Sequence, residues 1–165
     1  KKNNLQYFLI IDLILIFFFF FFYLINKYFF TNKSYFDGNF IYILFSKNTG
    51  SAFSMFSDIV NYNLFIIILS IIVLLLMFWN YKYFISDFYL RFTFVLFLSG
   101  VLGNLYDRIF FSYVRDFIGV KYFSIFNLAD SYLTLAFVFY LLYEWKYKSK
   151  NRKNKSKIGK FRWKK

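Results

Sequence analysis

Two carboxylates, Asp116 and Asp130, stand fourteen positions apart among polar residues in a chain with only eight acidic side chains. Each lies beside a long apolar run, where an ionisable group is costly and usually functional. Two carboxyls in one poorly hydrated cleft do not easily both ionise: one keeps its proton, the other acts as a base, and the pair titrates as a unit. Such a pair can activate water for attack on an amide carbonyl. If the stretch from Arg115 to Phe126 folds back, the two can meet; the spacing permits this without requiring it. Each also has a plainer reading, Asp130 as a helix-start residue beside the cap Asn127, and Asp116 as a loop charge paired with Arg115.

The chain has no histidine and no cysteine. Ser-His-Asp and Cys-His catalysis, disulfides and thiolate zinc sites are therefore excluded. Carboxylate pairs, a Ser-Lys pair and metal held by oxygen ligands remain. A carboxylate pair requires no metal, and no cofactor is expected. Ser51 or Ser54 with Lys47 is a weak alternative, because nothing in the sequence buries that lysine into a neutral base. Three polar blocks interrupt the apolar runs: Asn48-Thr49-Gly50-Ser51-Ala52-Phe53, Gly103-Asn104-Leu105-Tyr106-Asp107-Arg108 and Phe126-Asn127-Leu128-Ala129-Asp130. Asn104, Asp107 and Arg108 share a helical face if the preceding helix runs through them. Gly100 and Gly103 would admit a close neighbour on that helix. The bland reading is an Asp107–Arg108 ion pair with glycines that merely pack.

The elements that must position these residues are membrane helices. With 60% hydrophobic and 29% aromatic residues, a soluble globule would leave too much apolar surface unburied. The Phe-rich runs also carry the compositional bias of an AT-rich genome, so their richness needs no functional explanation. Four stretches approach the length of a span, at about 5–25, 62–79, 84–102 and 128–145. In the first, Asp12 is the one awkward residue, and no small-residue cleavage site follows it, so it reads as a retained helix. In the third, Asp87 and Arg91 stand one turn apart and can pair. Alternation at Phe40, Tyr42 and Leu44 suggests short strands at the membrane surface.

The fold class is thus an all-α polytopic membrane protein, with four transmembrane helices and a small external β-containing segment. Residues 1–145 form the membrane domain, and 146–165 a basic tail expected to lack regular structure. The net charge of +13 gathers in that tail, which fits anionic lipid at a cytoplasmic face better than nucleic acid. By the positive-inside rule both termini are cytoplasmic. The segments 26–61 and 103–127, with all three polar blocks in or beside them, are external.

The ordered blocks Asn48-Thr49-Gly50-Ser51-Ala52-Phe53-Ser54, Gly100-Val101-Leu102-Gly103-Asn104-Leu105-Tyr106-Asp107-Arg108, Val114-Arg115-Asp116-Phe117 and Phe126-Asn127-Leu128-Ala129-Asp130 resemble the lipoprotein signal peptidase family, also called signal peptidase II. The resemblance covers roughly residues 5 to 145. It implies a membrane aspartyl endopeptidase with Asp116 and Asp130 as catalytic dyad. Asn48, Gly50, Asn104, Arg108, Asn127 and Lys27 would bind substrate or shape the site. The implied substrates are bacterial prolipoproteins, cut before a diacylglyceryl-bearing cysteine in the inner membrane, with the site on the outer side. Globomycin-type inhibitors, membrane lipids and a monomeric state complete the expectation. Two departures stand out: Tyr23 replaces the Asp of the family's D-Q-x-x-K stretch, and Arg115 replaces an apolar neighbour of Asp116, where it could lower that carboxyl's pKa. Ser124 occupies a place near the F-N block where the family commonly has Pro. A small transporter or channel is the alternative from another class, but it would spread ionisable groups through the membrane depth. An inactive lipid-binding relative is the third reading, and the retention of both Asp residues argues against it.

Overall fold

A computed structural model describes residues 2–33, 36–50 and 61–162 of the chain. Along the sequence lie α1 (Lys2–Lys33), β1 (Phe36–Asp37), β2 (Ile41–Asn48), α2 (Tyr62–Trp79), α3 (Tyr81–Phe84), α4 (Phe88–Phe111), β3 (Val114–Val120) and α5 (Leu128–Arg162). Three helical stretches are long and apolar enough to cross a membrane: Gln6–Tyr28, Tyr62–Trp79 and Phe88–Phe111, with mean hydropathies of 2.9, 2.6 and 1.5. Ser51 and Ser54, the hydroxyls of the Ser-Lys alternative, lie outside the described residues.

The third of these stretches differs from the sequence expectation at both ends. Asp87 takes an extended backbone and caps α4, its side chain accepting from Tyr89 N at 2.9 Å. The helix therefore begins at Phe88, and Tyr81–Phe84 forms a separate short turn of helix. At the other end no proline intervenes, and α4 continues through Gly103, Asn104 and Asp107 to Phe111. Its low hydropathy has a physical cause, because Thr93, Ser99, Asp107 and Arg108 are buried on its inner side.

Helix α4 is the centre of the bundle, and α1, α2, α3 and α5 all pack on it. The closest approach is to α5. A Cβ at Gly100 would come within 2.7 Å of the Ala129 carbonyl oxygen, and one at Gly103 within 3.0 Å of the Ala129 Cβ and 3.1 Å of the Tyr23 ring. Small residues thus let the backbones meet, as in other membrane helix pairs. By contrast α2 buries no residue and is apolar all round, as befits a helix surrounded mainly by lipid.

Asp87 and Arg91 do not pair. Turned back as a cap, Asp87 meets Lys146 of α5 at 2.6 Å. Arg91 faces α1 instead, its Nη2 lying 2.6 Å from Asp12 Oδ1 while the Tyr81 hydroxyl donates to Asp12 Oδ2 at 2.8 Å. Asp12, 1% exposed, is thereby held by two donors. Beyond Trp145, α5 remains helical through Arg162, where an irregular tail was expected. Lys and Arg are good helix formers and suit a helix C-terminus.

The strands form one antiparallel sheet in the order β1-β2-β3. Strand β3 was not anticipated from the sequence. Its register sets Ser46 opposite Asp116 and Asn48 opposite Val114, with an irregularity between Ile43 and Ser46. After β3 the chain turns at Tyr122 and returns, so that Phe126 N donates to Ile118 O at 2.9 Å and Ile118 N to Phe126 O at 2.8 Å. The fold-back leads directly into α5.

Candidate active site

Asn127 is the residue from which the site is built. It precedes α5 and caps it, its Oδ1 accepting from Ala129 N at 2.7 Å and from Asp130 N at 3.3 Å. The third helical residue, Asp130, returns the interaction, its Oδ2 accepting from Asn127 N at 3.0 Å. This is a reciprocal capping box with Asn and Asp in the usual Ser and Glu positions. The Asn127 side-chain NH2 then donates to Asp116 Oδ1 at 2.7 Å and to Asn104 Oδ1 at 3.1 Å. Asn104 in turn donates to Asp130 Oδ1 at 2.8 Å. One residue therefore touches both carboxylates, Asp116 through its side-chain NH2 and Asp130 through its backbone N–H, and the strand, the central helix and the start of α5 converge on it.

Asp116, on β3, is 3% exposed and also accepts from Asn48 Nδ2 of β2 at 3.0 Å. Burial pushes its carboxyl up to about 6, the nearby Asp130 charge adding to the effect, while hydrogen bonds from Asn127 and Asn48 and the charge of Lys27 oppose it. Arg115, its chain neighbour, plays no such part. Successive strand residues face opposite ways, and Arg115 turns to Asp107, with its Nη2 at 2.8 Å and its Nε at 3.2 Å from Oδ1 and its backbone N at 2.8 Å from Oδ2.

Asp107 is thus a hub that sequence reasoning missed. It is fully buried and also bonded to Lys27 of α1, itself fully buried with its Nζ 4.4 Å above the Tyr23 ring. The Lys27–Asp107–Arg115 cluster ties α1, α4 and β3 together behind Asp116. Its members were visible as charges, but no local spacing joins positions 27, 107 and 115. The local Asp107–Arg108 pair is not formed. Arg108 reaches the other way, donating to Gly50 O at 2.7 Å and to Asn63 Oδ1 at 3.4 Å. Gly50 N donates to Asn48 Oδ1 at 3.1 Å, so Arg108 holds the turn that aims Asn48 at Asp116. Asn48, Gly50, Asn104, Arg108 and Asn127 are thus joined to the two carboxylates by hydrogen bonds, while Lys27 is bonded to Asp107 in the cluster behind Asp116.

Each oxygen of the two carboxylates accepts an N–H donor, an arrangement suited to protons and water. Among the described residues no group of three or more carboxylate, histidine or cysteine side chains converges as a metal site would. Beside the pair opens a cleft of about 900 Å³, walled by Ile66 and Ser70 of α2, Val101 of α4, and Leu133 and Leu135 of α5, with both Asp116 and Asp130 at its edge.

A bundle of apolar helices with a carboxylate pair, one member buried, at one end of its central helix defines an integral membrane protein with the makings of a hydrolytic site. The family described as Signal peptidase (SPase) II matches residues 5–146, and the chain belongs to that family of peptidases. The lipoprotein signal peptidase of Bartonella bacilliformis is 42% identical over 127 residues, covering 72% of this chain and 75% of that one. That of Caldicellulosiruptor bescii is 36% identical over 128 residues, covering 78% and 83%. The match to the Bartonella tribocorum relative, at 40% identity, spans 65% of that protein's length, about two thirds. A solved bacterial membrane enzyme structure, obtained by the in meso method at 2.3 Å resolution, superposes with a TM-score of 0.74 at 27% identity, covering 84% of this chain and 90% of that one.

Proposed function

We propose that this chain removes the signal peptide from diacylglyceryl-modified bacterial prolipoproteins, cutting before the lipidated cysteine, with Asp116 and Asp130 as an aspartyl dyad. The observation that carries this reading is Asn127, whose side-chain NH2 and backbone N–H hold the two carboxylates at the wall of an apolar cleft. Asp116, the more deeply buried partner, holds the proton, and Asp130 is the base. Water placed between them attacks the carbonyl carbon of the scissile amide as its proton passes to Asp130. Asp116 gives its proton to the carbonyl oxygen, so no free oxyanion has to persist. Collapse of the tetrahedral centre breaks the C–N bond as the proton on Asp130 goes to the leaving nitrogen and a hydroxyl of the centre returns a proton to Asp116. The products are a signal peptide with a new carboxyl group and a lipid-bearing cysteine with a free amine.

The 128–145 part of α5 serves as a fourth span. It lies against α4 through Gly100, Ala129 and Ala136, and it turns Leu135, Phe137, Val138, Leu141 and Leu142 outward. Both termini then lie on the cytoplasmic side of the inner membrane, with the dyad at the outer face, where a lipid-bearing substrate meets it from within the bilayer. Membrane lipids surround a monomer, and globomycin-type inhibitors compete for the cleft.

The test is cleavage of a diacylglyceryl-modified prolipoprotein by the purified protein in detergent or lipid. Asp116→Asn and Asp130→Asn are each expected to lower kcat by about a thousandfold or more. Cleavage undiminished in both variants would refute the dyad. A folded parent that cleaves nothing would refute the activity.

A further inference from the structure

Asp116 borders two clefts of different character, the smaller of them the more polar. The larger, described above, opens among apolar side chains of α2, α4 and α5. The smaller, of about 470 Å³, lies on the sheet side between Ser46 and Asn48 of β2 and the turn that carries Tyr122, Phe123 and Ser124. The two share Asn48, Asp116 and the 123–125 segment, so they meet at the carboxylate. Ser46 is the cross-strand partner of Asp116, which puts a small polar residue beside the acid and leaves room there.

The rim of the smaller cleft is unusual. Tyr122 is 94% exposed and has φ of 66°, a left-handed backbone that a bulky side chain rarely adopts. Two hydrogen bonds impose it, Lys121 N to Phe40 O and Phe123 N to Val120 O, both at 2.9 Å. Strain of this kind collects at ligand clamps. Here it holds an aromatic ring out at the mouth of a polar cleft, with Phe123 beside it, itself 58% exposed.

Resting on the proposed peptidase reading, we infer that the smaller cleft binds the polypeptide that follows the cysteine, while the apolar cleft takes the signal peptide. A prolipoprotein changes character at the bond to be cut: an apolar segment precedes it, and an ordinary polar chain follows the cysteine. The site has the same division, with Asp116 at the boundary. A volume of about 470 Å³ suits a short extended peptide. Tyr122 and Phe123 supply rigid aromatic surface for its backbone and side chains, at little loss of side-chain freedom.

The experiment compares diacylglyceryl-modified substrates that end directly after the cysteine with others that continue several residues further. For the parent, kcat/KM is expected to rise about tenfold with the added residues, mainly through KM. Ser46→Trp, which fills the cleft, should abolish that rise. Tyr122→Gly, which relieves the strained backbone and removes the rim, should reduce it and provides a variant with no new bulk to accommodate. Asp-dependent cleavage that is indifferent to length in the parent, or equally length-dependent in both variants, would overturn the subsite and leave the peptidase reading intact. Absence of cleavage at every length would overturn both.

Discussion

Every hydrogen-bonding position of the Asn127 side chain is occupied within the site: two donors to Asp116 and Asn104, and two accepted bonds from the first turn of α5. The residue therefore fixes where Asp116 and Asp130 stand and how easily Asp116 ionises. With its carboxyl pushed up to about 6, Asp116 keeps its proton below that pH. If cleavage needs one proton on the pair, kcat/KM falls as pH rises through about 6. The sign for stability is the same: a carboxyl whose folded pKa exceeds its unfolded value of 3.8 contributes most below that value and loses the contribution as pH climbs through about 6. Asn48→Ala removes a hydrogen bond that favours the ionised form, so the alkaline limb of the pH–rate profile should move to higher pH even as the rate drops. A limb that stays in place would show that Asp116 is not the group titrating. At this scale the sequence was informative about residue types and much less so about partners. Asp116, Asp130 and Asn127 could be singled out from their polar blocks, whereas Arg115 was expected to act on Asp116 and instead grips Asp107, because strand alternation turns it to the opposite face.

Helix α5 brings Asp130 to the site only because α4 lets it come close. At Gly100 the obstacle to any larger residue is the Ala129 carbonyl oxygen, which moves only if the start of α5 moves. Gly100→Val is expected to destabilise the fold by about 1–3 kcal/mol through overpacking. It should also displace Asp130 from Asn104. Both a lower Tm and a loss of kcat should follow, whereas Ile109→Ala, at an exposed position of the same helix, should leave both nearly unchanged. A Gly100→Val variant with full activity would mean that the α4–α5 contact does not set the dyad. Hydropathy located α1 and α2 well, since both are apolar along their length. It misjudged α4, whose polar inner face lowers the average while the helix continues. It missed β3, where Val114-Arg115-Asp116-Phe117 lacks the alternation that marks a half-buried strand.

For the whole molecule, the proposed orientation turns on which charges remain at the surface. Of the six cations in the segments 26–61 and 103–127, Lys27, Arg108 and Arg115 are drawn into the site, and Lys47 and Lys121 are exposed. On the other side Lys82, Lys146 and Lys148 are followed by the basic end of α5. Because the chain has no native cysteine, single introduced cysteines report sidedness without background. In intact cells with only the outer leaflet accessible, Tyr122→Cys should label with a membrane-impermeant thiol reagent and Lys148→Cys should not. The reverse pattern would invert the topology. The order of the polar blocks made the family legible from sequence. The long-range pairs 12 with 91 and 27 with 107 were not, since no local pattern encodes which helix faces which. The Asp12–Arg91–Tyr81 knot also bears on how the chain is made. During synthesis Asp12 emerges long before its partners, and a lone carboxylate within a bilayer helix costs about 2.5–3.5 kcal/mol on insertion scales. Helix α1 thus gains its full hold on the membrane only when α4 arrives, so a segment made well before α4 waits on it to be secured.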